Sequence, residues 1–304
     1  MGVNAELFPV VQVDPTDHTS SESDSVSYKT ILVHLNHEPR ARALLGTAID
    51  MAARFEAHLI GLYVFPAYRL TPPIPLPFGS ELAGQIKGAI KREAEAVKAV
   101  FDEMTAHRPF VSEWRSITTE HREPGAIVLD HAHAADLVIA SQADPAWQFS
   151  DILDFPERLA LGAGRPVLVV PNFGTHTGVP GNVTIAWSNR RESARAVADA
   201  LPLLQVASQV HLLTIADGGA VAEGALPDTE IAAALARHGV KVQASRAIAS
   251  EYTVGEEIRV RAVDLEADLL VMGCYGHSRM RELALGGVTR HMLREMTIPI
   301  LFSH

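Results

Sequence analysis

At 304 residues the chain exceeds one ordinary domain of roughly 100 to 200 residues, so two domains are expected. A net charge of −10 with no compensating basic cluster argues against nucleic acid or an anionic membrane as main partner, because both demand a basic face. One cysteine, Cys274, rules out an intrachain disulfide, and no apolar run approaches the roughly 18 residues that would cross a bilayer.

Residues 1–26 are polar and lack the basic start and apolar core of a secretory signal, while Glu6 stands where a myristoylation signal needs Ser or Thr. They read as a disordered lead-in, and the chain as cytoplasmic. YKTILVHLN (28–36) has the length and β-branched content of a strand. Behind it Ala41, Leu44, Leu45, Ala48, Ile49 and Ala52 recur at helical spacing. HLIGLYVF (58–65) predicts a second strand. The Pro-rich stretch 66–77 can hold neither a ladder nor a helix interior, and reads as an extended insertion that is either an exposed loop or a lid or partner surface. Further strands are predicted at SEWRSITT (112–119), DLVIAS (136–141) and RPVLVVP (165–171). FGTHTGVPG (173–181), rich in Gly, Pro and Thr, is a linker.

The order then repeats. GNVTIAWSN (181–189) opens the second copy, and Ala194, Val197, Ala198, Leu201 and Leu204 mark its first helix. QVHLLTI (209–215), VKVQASRAI (240–248), DLLVMG (268–273) and IPILFS (298–303) follow in the same sequence of strands. Strands apolar on both faces, alternating with one-faced helices, predict two tandem, doubly wound, five-stranded α/β domains with mainly parallel sheets, at 27–172 and 182–304.

Ligands of open parallel sheets bind beyond the carboxyl ends of strands where strand order reverses, here strands one and four of each copy. After the fourth strand of copy two comes GCYGHSRMRELALGGVT (273–289), then a helix with Val288, Met292 and Met296 on one side. Glycine lets backbone N–H groups approach phosphate oxygens, and a helix N-terminus behind it supplies unpaired N–H groups and partial positive charge. Neither a P-loop nor a dinucleotide fingerprint occurs. On spacing alone, nucleotide binding and a tight structural turn are equal readings.

Gly273-x2-Gly276-x9-Gly286 followed by a small residue, on the fourth strand of such a unit, resembles the ATP-binding signature of the universal stress protein family. The likeness covers nearly the whole chain as two tandem copies, and GRPVLVVP (164–171) and RRESARAVADALPLL (190–204) resemble family segments as well. It implies an adenine nucleotide α-hydrolase-like fold and a stress-response regulatory protein whose second copy binds ATP or AMP, with or without Mg2+. It assigns Gly273 and Gly276 to ribose and phosphates, and Gly286 with Gly287 to the phosphates. Ser188 takes the place of a family Asp on the adenine or ribose side, and Ile215 that of the adenine contact. Val288 and Thr289 head the following helix, where Thr289 is a nearby hydroxyl. Ser188 and Gly287 depart from the family pattern, removing a side-chain acceptor and a hydroxyl donor, which weakens the implied site. The resemblance further implies that the copies pair about a pseudo-twofold axis through VLVVP and ILFS, as two chains pair in family homodimers; whether whole chains dimerise is left open.

Copy one carries Ser141, Asp144 and Asp154 at the three glycine places and Asn36 at the place of the Asp. Two carboxylates facing a polyphosphate would repel it, so no nucleotide site of this kind is expected there. His34, His37, His131 and His133 show no metal-ligand spacing. Cys274 reads as a small buried residue rather than a reactive thiol, since it has no CxxC partner. Trp187 and Tyr275 are packing residues or adenine stackers, and Arg279 and Arg281 phosphate donors or solvated loop residues. No G-x-S-x-G elbow or HExxH is present, so no enzyme is expected beyond slow ATP hydrolysis. A nucleotide-free interaction protein of the same fold is the alternative to the nucleotide-responsive one.

Overall fold

A computed structural model describes residues 11–12, 27–67, 79–216, 228–248, 253–274 and 287–304. The chain divides into two compact units, Tyr28–Gly178 and Val179–His304, the latter joined by Met1–Ser27. In chain order the first strand, β1 (Val11–Gln12), belongs with Val179–His304.

Tyr28–Gly178, the first unit, runs β2 (Thr30–His34), α1 (Glu38–Phe55), β3 (His58–Pro66), α2 (Gly79–Thr105), β4 (Ser112–Thr119), α3 (Pro124–Ala132), β5 (Leu137–Ser141), α4 (Ser150–Leu153), α5 (Pro156–Gly162) and β6 (Val167–Val170). Its sheet is parallel throughout, in the order β6-β5-β2-β3-β4. Ile31, Leu32, Val33, Val138, Ile139 and Leu168 are fully buried, as strands covered on both faces must be, and α1 buries Ala41, Leu44, Leu45, Ala48 and Ile49 on one side. The predicted linker stays with this unit as far as Gly178. Thr47 Oγ1 on α1 donates to the His176 carbonyl (2.9 Å), and Asp50 accepts from the Gly178 amide (3.2 Å). A Cβ on Gly178 would stand 2.1 Å from the Thr47 carbonyl oxygen, so only glycine lets the chain pass so close to α1. Most of the Pro-rich stretch, 68–77, lies outside the described residues.

The second unit runs β7 (Asn182–Trp187), α6 (Arg191–Val206), β8 (Gln209–Ala216), α7 (Asp228–Arg237), β9 (Val242–Ile248), α8 (Val254–Asp264), β10 (Leu269–Gly273), α9 (Val288–Glu295) and β11 (Ile300–Ser303). Its strand order, β9-β8-β7-β10-β11, is that of the first unit, again parallel. One strand is added: within the lead-in read as disordered, Val11 and Gln12 pair antiparallel with Ala244 and Gln243 of β9. The other residues before 27 lie outside the described ones.

The matching aspartates ahead of β5 and β10 have matching work. Asp136 accepts from the amides of Lys29 and Thr30 (2.8 and 2.9 Å), and Asp268 from those of Gly181 and Asn182 (2.8 and 3.1 Å). Each carboxylate satisfies the free amides where the neighbouring central strand begins, which pins strand one to strand four in the same register. Val183 therefore sits opposite Leu269 as Ile31 sits opposite Leu137. Both sheets reverse their order between these two strands, and that places a crevice at their carboxyl ends. Among the described residues no helix is long and apolar enough to cross a membrane.

Candidate functional site

At the carboxyl edge of the second unit, Ser188 follows β7 and Gly273 ends the adjacent β10. Both meet the first turn of α6. Ser188 Oγ lies 2.8 Å from Ser193 Oγ, and the Ser188 amide donates to the same hydroxyl (3.2 Å). A Cβ on Gly273 would fall 2.4 Å from the Glu192 carbonyl carbon and 2.6 Å from the Ser193 nitrogen, so β10 can approach α6 this closely only through glycine. Ser188 is exposed and Ser193 buried. Glu192 is buried too: burial pushes its carboxyl up, but its bonds from Arg191 and from its own backbone amide, with the Arg191 charge, hold it below the usual carboxylate range.

Gly287 is the N-cap of α9 and makes no side-chain cap bond, and Arg190, the N-cap of α6, makes none either. Elsewhere in the unit α8 is capped, with Thr253 accepting from the Glu256 amide and the Glu256 carboxylate from the Thr253 amide. Val288 is half-buried and Thr289 buried in α9, and Ile215 is half-buried near the end of β8. Gly276 and Gly286, with Tyr275, Arg279 and Arg281, lie outside the described residues. The structure thus brings Ser188 and Gly273 together through Ser193. Cys274 is fully buried, its amide and thiol both directed to the Ser303 carbonyl, and Trp187 packs in the core at 7% exposure.

The same edge of the first unit is built differently. Asp154, whose side chain is fully buried, is held by the Arg40 guanidinium through Nη2 to Oδ1 (3.0 Å) and Nη1 to Oδ2 (3.3 Å). Asn36 Nδ2 donates to Oδ1 (2.8 Å) and to the Leu153 carbonyl (2.7 Å), and the Asp144 amide donates to Oδ2 (3.0 Å). Arg40 Nη1 also reaches Ser141 Oγ and the Gln142 carbonyl (3.4 and 3.3 Å). Trp147 closes the network: its ring lies 4.8 Å from the guanidinium and stacks on His37 at 4.5 Å. His34, buried beneath, is held neutral by loss of water, its pKa lowered to about 4, with Asp154 raising it and Arg40 lowering it.

A family model described as the universal stress protein family matches residues 27–171 and again 181–304. The chain belongs to the universal stress protein family. It is the tandem, two-domain type. A curated universal stress protein of Synechocystis sp. is 49% identical over 47 residues, 15% of this chain and 16% of that relative. The chain therefore matches only a small part of that relative's length. Among solved structures, a universal stress protein from Archaeoglobus fulgidus is similar over 90% of this chain and 95% of its own, at 14% identity and a TM-score of 0.62. A functionally unknown protein from Pseudomonas aeruginosa PAO1 is similar over 91% and 92%, at 13% identity and a TM-score of 0.54. At these identities the likeness is one of fold.

With both central strands in one register, the two copies of the family fold can be compared residue by residue. Ser188 falls at the place of Asn36 and Gly273 at that of Ser141. The link from β7 to α6 carries one residue more than the link from β2 to α1, counted from Val183 and Ile31, so Ser193 and Arg40 are each the third residue of their helix. Sequence reading named neither residue. The signal was present in the unequal spacing between the two matching strands and helices, and in a basic residue one turn beyond Asn36.

Proposed function

We propose that the second unit binds an adenine nucleotide, ATP or AMP, at the carboxyl ends of β7 and β10, and that occupancy adjusts the chain's affinity for a regulatory partner in a stress response. The observation that carries this reading is the difference between the two edges. Where the first unit has Asn36, Arg40 and Asp154 bonded into one another, the second has two small hydroxyls, Ser188 and Ser193, beside a glycine strand end. Gly273, Ser188, Ile215 and the head of α9 at Gly287, Val288 and Thr289 are the described parts of the proposed site, and Gly276 and Gly286 complete it. The head of α9 has glycine at its N-cap and no side-chain cap, where α8 is capped by Thr253, and a helix N-terminus of that kind favours phosphate oxygens. A ligand with different affinities for two states of the chain shifts their balance by that difference.

A second reading has its own support: the contact with α6 alone demands glycine at 273, so that glycine is explained without any ligand. Equilibrium dialysis with labelled ATP and AMP separates the two. One saturable equivalent per chain, lost in Gly276→Asp, is expected; no saturable binding, or binding untouched by Gly276→Asp, favours the nucleotide-free interaction protein.

A further inference from the structure

We propose that the carboxyl edge of the first unit is a receptor for a small tetrahedral oxyanion of the phosphate class, and that the chain fills it with its own Asp154 carboxylate. The geometry is that of an anion site rather than of an isolated ion pair. One buried carboxylate takes two guanidinium bonds from Arg40, an amide bond from Asn36 and a backbone N–H from Asp144, four donors from three residues. Fork-shaped guanidinium contacts joined by a backbone amide are how proteins hold phosphate and carboxylate alike.

Four donors fill the four lone-pair sites of the carboxylate, and one N–H of the same guanidinium is left over. Arg40 Nε is buried and has no hydrogen-bond partner among the described residues, and the neutral His34 ring lies within electrostatic reach of both Arg40 and Asp154. A buried guanidinium N–H without an acceptor is costly. A tetrahedral anion presents more oxygens, in more directions, than the two of Asp154. The enclosure selects a free anion over a phosphoryl group on a larger molecule: the Asp154 side chain is 0% exposed and that of Arg40 9%. In the intact chain a free anion competes with a tethered carboxylate, whose local concentration is set by the short segment from Ser150 to Pro156, and so it displaces Asp154 poorly. The site is self-liganded.

The test is thermal denaturation of the full chain in chloride and in inorganic phosphate at equal ionic strength. Wild type, Asp154→Gly and Asp154→Gly/Arg40→Ala are compared, each checked for folding by circular dichroism. Phosphate is expected to raise the midpoint of Asp154→Gly by about 3 °C or more beyond its effect on wild type, and to lose that excess when Arg40 is also removed. Equal shifts in all three proteins overturn the proposal, as does an excess that survives the loss of Arg40. Should Asp154→Gly not fold in chloride, Asp154→Ala, which keeps a Cβ and vacates the place of the carboxylate, gives the same comparison. Because every shift is read against wild type, failure here leaves nucleotide binding at the second unit untouched, and failure there leaves this site standing.

Discussion

The two carboxyl edges share a backbone and differ in what the third residue of one helix can reach. Arg40 extends back over the end of β5 and closes on Asp154; Ser193 stops at the Ser188 hydroxyl. One residue added between strand and helix accompanies the change, and the α6 turn comes to rest on Gly273, whereas Ser141 has room for its side chain in the core. Duplicate domains thus diverge at the crevice while the register of their central strands, pinned by Asp136 and Asp268, is kept. One copy became a closed structural edge, and the other carries two small hydroxyls and a glycine strand end in its place.

The sharpest way to break this contrast is to break the ion pair. Arg40→Met strands a buried carboxylate, and a loss of about 3–5 kcal/mol in urea denaturation is expected. Adding Asp154→Leu should return most of it, because two apolar side chains carry no desolvation cost; a double variant as unstable as the single one would show that the pair does more than satisfy itself.

Next in size is a pH effect centred on His34 of the first unit. His34 prefers its neutral form in the fold and titrates at about 4 there, against an ordinary value of 6.5. Between those values the unfolded chain binds a proton that the folded chain refuses, so this contribution is full above about pH 6.5 and declines as pH falls toward about 4. At about 1.4 kcal/mol per pKa unit the loss is on the order of 3 kcal/mol. His34→Asn should flatten the stability profile across this window relative to wild type, although His37, His131 and His211, also lowered first by burial, leave a residual slope.

Strands, helices and duplication were legible because their signals are local: apolar runs, helical spacing, and an aspartate repeated before each fourth strand. The buried face of α6 was misread: Ala194 and Ala198 are exposed, and Ser193, Ala196, Ala200 and Leu203 face inward beside Leu201 and Leu204. Cys274, read as a small buried residue, is buried, and Trp187, read as a packing residue or an adenine stacker, packs in the core. Asp154 was read from its charge alone as a group facing, and repelling, a ligand. In the fold that carboxylate is turned inward onto an arginine 114 residues away, a partner no local pattern announces. Gly273 carries a similar lesson. A glycine of a binding signature and a glycine required by a helix packed at its Cα look the same in sequence, and only the second is visible as a distance.

Gly273 gives the third test. Gly273→Ala forces the α6 turn to move and is expected to cost about 1–3 kcal/mol, while Ser141→Ala, at the matching place, should cost about 1 kcal/mol, the worth of its bond from Arg40. Equal costs would mean that the two edges are less different than their geometry.

The smallest expected effect is also the most informative about the second edge. Ser193 is buried, and its hydroxyl accepts from the Ser188 amide while meeting the Ser188 hydroxyl, whereas Ser188 itself is exposed. Ser193→Ala should cost about 1 kcal/mol by leaving that amide without its acceptor; Ser188→Ala removes an exposed hydroxyl that water can replace, and should change stability by less than about 0.5 kcal/mol. If Ser188 serves the ligand rather than the fold, its replacement weakens ATP retention in dialysis while the urea midpoint stays in place. A matched loss of both would instead make the serine pair the second unit's small counterpart of Arg40 and Asp154, a structural closure of the edge rather than an opening kept for a nucleotide.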